Sequence, residues 1–553
     1  MSYTDIASGD PLKITTWDAF GYYMYLPSSV IYDDMTELEW VDEMDSTYQL
    51  TGGQMYQAHQ QDNGKYVFKY LGGVSLMQAP FFFLGHTIAV SSNYKANGFS
   101  PPYQYSIAFG ALFYCIFALF LMRNILLRFY SDHAVALSIL LMVLATNLIQ
   151  YISIDSAQSH AFIFPLYAIV LYVTIKWHES PKFKWAALIG LIIGLATISR
   201  PTELIMLFIP LLWDTQTKES RKAKWQLVRQ YRSHVIVAML FGIIGIAPQL
   251  IYWKLTTGSF VYDVGSKWFF ANPWFRVLFG FTNGWFIYTP ITIFFILGIF
   301  YMKKLPFRRS VIVFCLLNIW IVIAWSDWRY GATFSTRALV QSYPIFLLPF
   351  TAFIDDILKS KWKYIFFGIG AYLIFVNWFQ IGQYNSGIIH YRDMNAQYYS
   401  KVYLNSSTTP LEMSLLDTDE FIENETEFHE IKESMMLSRT PKKFIGGWGN
   451  PIVLGTHILE ANPKDWIRVD AEIKVNEGIG SSNLSCAVRS KSGTKKTKIR
   501  LHNAISKAKK MNTYSFYMKL PKQRHLTLDL NIESKFKFDG TVESWSITLF
   551  RKK

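Results

Sequence analysis

The chain has 553 residues, of which 51% are hydrophobic, 17% aromatic and only 17% charged, with a formal net charge of +14. Ordinary soluble domains carry about 25% charged residues. Here the apolar residues come in long blocks, so the composition excludes a wholly soluble protein and points to a polytopic α-helical membrane protein with a separate polar tail. The positive charge does not imply a nucleic-acid partner, because most Lys and Arg lie in short loops between apolar runs, where they set membrane orientation.

The chain starts polar, at MSYTDIASGD, without the charged-then-apolar pattern of a signal peptide. Residues 15–27, TTWDAFGYYMYLP, follow. They hold Asp18 among Trp17, Phe20, Tyr22, Tyr23 and Tyr25. A carboxylate in so aromatic a setting is costly unless something polar meets it. Two readings stand: an aromatic loop seated at the membrane interface, or a catalytic acid held just outside the membrane. Lys65 and Lys69 come next, either to meet an anionic headgroup or to snorkel. Residues 66–90 are apolar but broken by Gly72, Gly73 and Pro80, and either span or lie in the interface.

Clearer runs follow at about 103–122, 134–153, 161–177, 185–213, 235–252, 285–301, 311–325, 338–354 and 362–382. A span needs about 20 apolar residues. Basic residues mark the loops expected on the cytoplasmic side: Arg123 and Arg128; Lys176, Lys182 and Lys184; six Lys and Arg within 214–234; Lys303, Lys304, Arg308 and Arg309; Lys359, Lys361 and Lys363. Alternation then makes 185–213 cross twice, with a break at Ser199-Arg200-Pro201, and gives about ten segments in all. The same parity puts the 154–160, 253–284 and 326–337 loops and the tail on the outer face, and residues 1–102 as well provided 66–90 does not cross. The expected organisation is a first outer loop with interfacial helices (1–102), a membrane core (103–382) and an outer β-sandwich-like domain (390–553). In the tail, 417–433 is acidic. Strand alternation is clear in 466–475, WIRVDAEIKV, and recurs in 513–520, 526–532 and 542–550. The aromatic 253–290 segment suggests lipid-interface helices.

The unusual polar residues gather on the expected outer face. Asp155 and His160 lie in DSAQSHAFIFP, where Asp155 either orients His160 or shares a cation with it. Arg200 sits between two apolar segments. It either pairs with Glu203 or offers its forked donors to a phosphate. Asp327, Arg329, Tyr330 and Arg337 crowd one loop beside Trp325 and Trp328, as a plain Asp–Arg pair or as a shaped surface suited to sugar rings. The cysteines, Cys115, Cys315 and Cys486, have neither metal spacing nor a disulfide framework.

In order, WDAFGYYMYLP, KYLGGVSLMQAPFFFLGH, SAQSHAFIFPLYAIVLYV, the RPT break, GWFIYTP and WRYGATFSTRALVQSYP resemble the GT-C class of membrane glycosyltransferases. The resemblance covers about residues 10–382, and its branch is the protein-mannosyltransferase and aminoarabinose-transferase-like one. It implies a polyprenyl-phosphate-sugar donor, a glycan, lipid or protein acceptor, and an inner-membrane location among membrane lipids. It makes Asp18 the base, Arg200 and Arg337 the phosphate contacts with His160 beside them, and Asp155, Lys69, Asp327, Arg329 and Tyr330 orienting or substrate-binding groups. Many relatives carry an acidic pair in the first loop. Ala19 follows Asp18 here, so no metal is assigned, and a divalent cation remains the one cofactor left open. Relatives also have a transmembrane helix before that loop, whereas this sequence begins at the loop. The alternatives are a transporter or flippase for a lipid-linked sugar, which needs polar residues along a path through the membrane, and a membrane anchor for a glycan-binding tail.

Overall fold

The computed structural model describes residues 12–303, 305–431 and 442–553. The polar start of the chain, Lys304 of the basic loop, and positions 432–433 of the acidic stretch lie outside the described residues. The chain divides into two compact units, Met1–Ile381 and Gly382–Lys553.

The first unit opens with short helices α1 (Asp18–Tyr23), α2 (Tyr25–Val30) and α3 (Val41–Tyr48) and a hairpin of β1 (Ala58–Gln60) and β2 (Tyr66–Phe68). The aromatic residues of 15–27 turn inward. Phe20, Tyr22, Tyr23 and Tyr25 are buried, while Trp17 is 54% exposed. Phe20 packs edge-on against Trp40 and Phe99, and Tyr25 against Phe68 and Tyr252. This corrects the interfacial-loop reading: the rings form protein core, and Trp17 alone among the large aromatics of that stretch is left outside.

The main helices are α4 (Gly73–Val90), α5 (Pro101–Leu126), α6 (Asp132–Leu144), α7 (Ser159–Glu179), α8 (Phe183–Ser199), α9 (Phe208–Leu212), α10 (Lys218–Gln230), α11 (Arg232–Thr257), α12 (Arg308–Ala324), α13 (Tyr343–Lys359) and α14 (Lys363–Asn385). Six segments among the described residues are long and apolar enough to cross a membrane: α4, α5, α7, α11, Arg337–Lys359 and α14. By length and composition this is a multi-pass membrane protein. Four shorter apolar helical segments, Asp132–Leu144, Phe183–Ser199, Pro201–Leu212 and Pro290–Tyr301, stand beside the six. Several are short because the helices stop early. The 134–153 run leaves α-helix at Leu144 and ends in a π turn at Gln150–Ile154. Pro290 opens a series of short turns in 285–301. The shorter helices are held by close packing instead. A Cβ added at Gly190 of α8 would lie 1.9 Å from the Ala238 carbonyl oxygen of α11, a backbone approach that only glycine permits.

Proline fixes the break in 185–213. It lacks an N–H and disfavours helical backbone in the residue before it. Accordingly α8 ends at Ser199, Arg200 is extended (φ −152°, ψ 124°), and a 3-10 turn restarts at Pro201–Leu207. The 253–284 segment departs from expectation. It is mostly irregular, with four-residue helices at Arg276–Phe279 and Trp285–Tyr288 bordering its end, because Gly258, Gly265, Pro273, Gly280 and Gly284 interrupt it repeatedly.

The second unit is an antiparallel β-sandwich. Its strands are β3 (Phe428–Ile431), β4 (Lys442–Gly447), β5 (Ile452–Glu460), β6 (Trp466–Glu477), β7 (Ser482–Ser490), β8 (Gly493–Arg500), β9 (Met511–Lys519), β10 (His525–Ser534) and β11 (Lys537–Lys552). One sheet runs β5-β10-β7-β8. The other runs β3-β11-β6-β9, with β4 also paired to β11. The alternation in β6 has its expected meaning, since Ile467, Val469, Ala471, Ile473 and Val475 all face one core shared with β7, β9 and β10.

Candidate functional site

Asp18 opens α1, and the chain reaches it through a strained residue. Trp17 has φ +56°, in the left-handed region that non-glycine residues rarely adopt. Such a residue costs roughly 1–3 kcal/mol and persists only where its surroundings hold it. Here the Trp17 N–H donates to the Leu50 carbonyl (2.8 Å) and Gln57 Nε2 donates to the Trp17 carbonyl (3.2 Å). Tyr330 (φ +55°) and Ser335 (φ +56°) are strained in the same way, in the loop that carries Arg337.

The Asp18 carboxylate has three partners. Arg337 Nη2 donates to Oδ2 at 2.6 Å, while Tyr70 (2.7 Å) and Tyr56 (2.9 Å) donate their hydroxyls to Oδ1. Burial pushes the Asp18 pKa up, but the Arg337 guanidinium and the two phenols outweigh it and bring it down to about 2. The carboxylate remains about a quarter exposed (26%). Burial, and after it the Asp18 charge, raises the phenol pKa of both Tyr70 and Tyr56, so both stay protonated as donors. The ammonium of Lys69 lies over the two phenol rings, 5.5 Å from that of Tyr56 and 5.9 Å from that of Tyr70.

Four residues on from Arg337, in the same 3-10 segment, Gln341 gathers the other cations. Its Oε1 lies 2.6 Å from His160 Nδ1 and 3.2 Å from Arg200 Nη1. Its Nε2 donates to Glu203 Oε1 at 2.6 Å, and the Tyr167 hydroxyl donates to Glu203 Oε2. His160, Glu203 and Gln341 are buried. The charges of Arg200, Arg337 and Asp18 all act on the His160 ring. The four residues on which the sequence reading rested are therefore brought into one cluster, from α1, the start of α7, the Arg200 break and the 3-10 turn Arg337–Ser342. Among the described residues, Arg200 has no carboxylate within ion-pair distance, and Arg337 has only Asp18.

The other residues singled out in the sequence make the following contacts. Asp155 accepts from Gln150 Nε2 at 3.0 Å, and His160 Nδ1 is taken by Gln341, so Asp155 does not orient His160. Burial raises the Asp155 pKa, with Gln150 and the Arg337 charge opposing. Among the described residues no group of three or more His, Cys, Asp and Glu could hold a metal ion, and no contact joins Asp155 to His160 around a shared cation. The Glu203 N–H donates to the Arg200 carbonyl at 2.9 Å, but among the described residues the two side chains form no ion pair, because Gln341 stands between them. No Asp327–Arg329 ion pair forms among the described residues. Arg329 instead lies over the Trp328 ring, 5.0 Å from its centroid, with its Nε buried and unpartnered. The Tyr330 hydroxyl is spent on the Val322 carbonyl, so this tyrosine shapes the loop rather than reaching outward.

Sequence reasoning missed Tyr56, Tyr70 and Gln341. Gln341 follows Arg337 by four residues in the quoted RALVQSYP stretch, but nothing local marks its amide as the meeting point of the cations. Tyr70 lies within the quoted KYLGG segment, but nothing local distinguishes a hydroxyl that meets a carboxylate from the many aromatic residues around it.

No protein-family model matches the chain. No curated protein matches it either. Among solved structures, the arabinosyltransferase EmbB from Mycobacterium smegmatis is similar over 80% of this chain and 56% of that one, at 10% identity and a TM-score of 0.31. A structure of the infectious bursal disease virus Gx strain is similar over 21% of this chain and 33% of that one, at 13% identity and a TM-score of 0.15. The chain thus spans about a third of the viral chain and just over half of the arabinosyltransferase chain, and at these scores neither likeness carries an argument about what this protein does.

Proposed function

We propose that this protein is an inverting membrane glycosyltransferase that moves a sugar from a polyprenyl-phosphate carrier to an extracytoplasmic acceptor. The observation that carries the reading is one cluster holding a carboxylate, Asp18, against Arg337, with Arg200 joined to the same turn through Gln341 and, among the described residues, without a carboxylate partner of its own. The cluster lies at the helix ends opposite the basic ones. His160 opens α7, which closes with Lys176, and Arg200 follows α8, which begins beside Lys182 and Lys184. Under the positive-inside rule that end faces outward.

In this reading the acceptor hydroxyl attacks the anomeric carbon as Asp18 takes its proton. The bond from the anomeric carbon to the phosphate oxygen breaks, and the electron pair leaves with the polyprenyl phosphate. Arg200 and Arg337 hold the charge that develops there. A phosphate is a stabilised leaving group, so no strong general acid is needed. A carboxylate with a pKa of about 2 is a poor base. Once a phosphate draws Arg337 away, Asp18 loses its strongest charge partner and becomes more basic.

The test is transfer from short-chain polyprenyl phosphates carrying labelled arabinose, mannose or glucose, by detergent-purified protein with a membrane extract as acceptor. Asp18→Asn is expected to lower transfer by at least about 100-fold, with protein yield and helical circular dichroism as the controls for folding. Near-normal transfer by that variant removes Asp18 from the role, and a product with the donor's anomeric configuration rules out one-step displacement.

A further inference from the structure

The hydrogen bonds around Gln341 fix more than position. An arginine side chain only donates, so the Gln341 atom facing Arg200 Nη1 is its oxygen. The opposite end then presents the amide nitrogen to Glu203, as the carboxylate requires. Both ends agree on one orientation of the amide. The same oxygen also meets His160 Nδ1 at 2.6 Å, and because an amide oxygen only accepts, Nδ1 carries the proton. Nε2 is then the free nitrogen. It makes no hydrogen bond to the protein among the described residues and is not among the buried unpartnered atoms. A proton there as well would put a third cation beside Arg200 and Arg337 in a buried setting, which is costly.

A bare Nε2 lone pair repels a phosphate oxygen and attracts an O–H. We therefore infer that His160, rather than gripping the phosphate, accepts a hydrogen bond from a hydroxyl of the transferred sugar, and that Gln341 is the positioning residue that sets its tautomer. This rests on the glycosyltransferase reading above. Arg200 shares the Gln341 oxygen with His160, so the hydroxyl concerned is the one nearest the phosphate, on the carbon next to the anomeric carbon. Glu203 and Tyr167 act one step further out, by holding the Gln341 amide in register.

The experiment is a cycle of two changes, His160→Ala in the full-length protein and removal of that hydroxyl from the same labelled polyprenyl-phosphate sugars. The intrinsic effect of the missing hydroxyl on reactivity cancels in the cycle. In the unsubstituted protein its loss is expected to lower kcat/KM about tenfold more than in His160→Ala. Gln341→Leu is expected to shrink the same coupling, with Gln341→Glu, which keeps the oxygen facing His160, retaining more of it and protein yield as the folding control. Equal penalties in both proteins overturn the hydroxyl contact, and unchanged coupling in Gln341→Leu overturns the positioning role. If the unsubstituted protein transfers none of these sugars, the glycosyltransferase reading fails and takes this inference with it.

Discussion

At the scale of single residues, the decisive feature is how Asp18 is held. Its depressed pKa has a consequence for stability with a definite sign. A carboxylate bound more tightly in its ionised form in the folded state stabilises above its unfolded pKa and loses that contribution as pH falls through the folded value. For Asp18 the window runs from about 3.8 down to about 2. Melting curves of the unsubstituted protein and of Asp18→Asn over that window should differ by an amount that shrinks as pH falls, reaching about 2 kcal/mol at its upper end. Tyr70→Phe removes one of the two phenol donors to Oδ1. It should raise the Asp18 pKa by less than loss of Arg337 does, and lower transfer about tenfold, an outcome read from paired pH–rate profiles. The sequence announced Asp18 and Arg337 as unusual. It could not announce their bond, which joins residues 319 positions apart. Nor did it show that Tyr330, beside Asp327, would be spent on the protein's own backbone.

At the scale of elements, the Pro201 break was legible because the physics is local: proline forbids what the surrounding apolar run otherwise favours. Pro201→Ala lets α8 continue through Arg200 and swings that side chain off Gln341. Transfer should fall about 100-fold, with protein yield as the control. A second element-level prediction concerns α1. A Cβ added at Gly21 would lie 2.1 Å from the Tyr70 ring, so Gly21→Ala must displace the ring whose hydroxyl meets Asp18. Thermal melts should show a loss of about 1–3 kcal/mol, with activity falling alongside. Strand β6 was legible for the same local reason, since alternation along a single strand faces a single core. The 253–284 segment was not. Aromatic density there looked like an interfacial helix, but aromatic content says nothing about backbone, and the glycines and proline decided it. The lengths of the membrane segments were not legible either. Hydropathy marks where chain is apolar, and only packing decides whether α6 and α8 must be as long as a bilayer is thick.

At the scale of the whole molecule, the two units have separate hydrophobic cores. Among the described residues, the strands of the second close on themselves in two sheets with no strand borrowed from the first. Expressed alone, residues 382–553 should give a β-rich circular dichroism spectrum and one cooperative unfolding transition. A non-cooperative melt would show that this unit depends on the remainder of the chain. The first unit draws its site from five stretches far apart in sequence: the start of α1, the Tyr56–Tyr70 segment, the start of α7, the Arg200 break and the turn at Arg337. Residue types in each stretch were readable one at a time. Their convergence follows from how the helices pack, which no window of sequence contains.

The Asp18–Arg337 bond also bears on kinetics. If Arg337 is the residue that receives the donor phosphate, an acceptor arriving first finds Asp18 still engaged by Arg337 and too weak a base to take its proton. Turnover then follows a compulsory order, donor before acceptor. Polyprenyl phosphate, the spent carrier, competes with fresh donor for the same guanidinium. Between turnovers the ion pair re-forms, and the resting protein is idle by construction rather than for want of substrate.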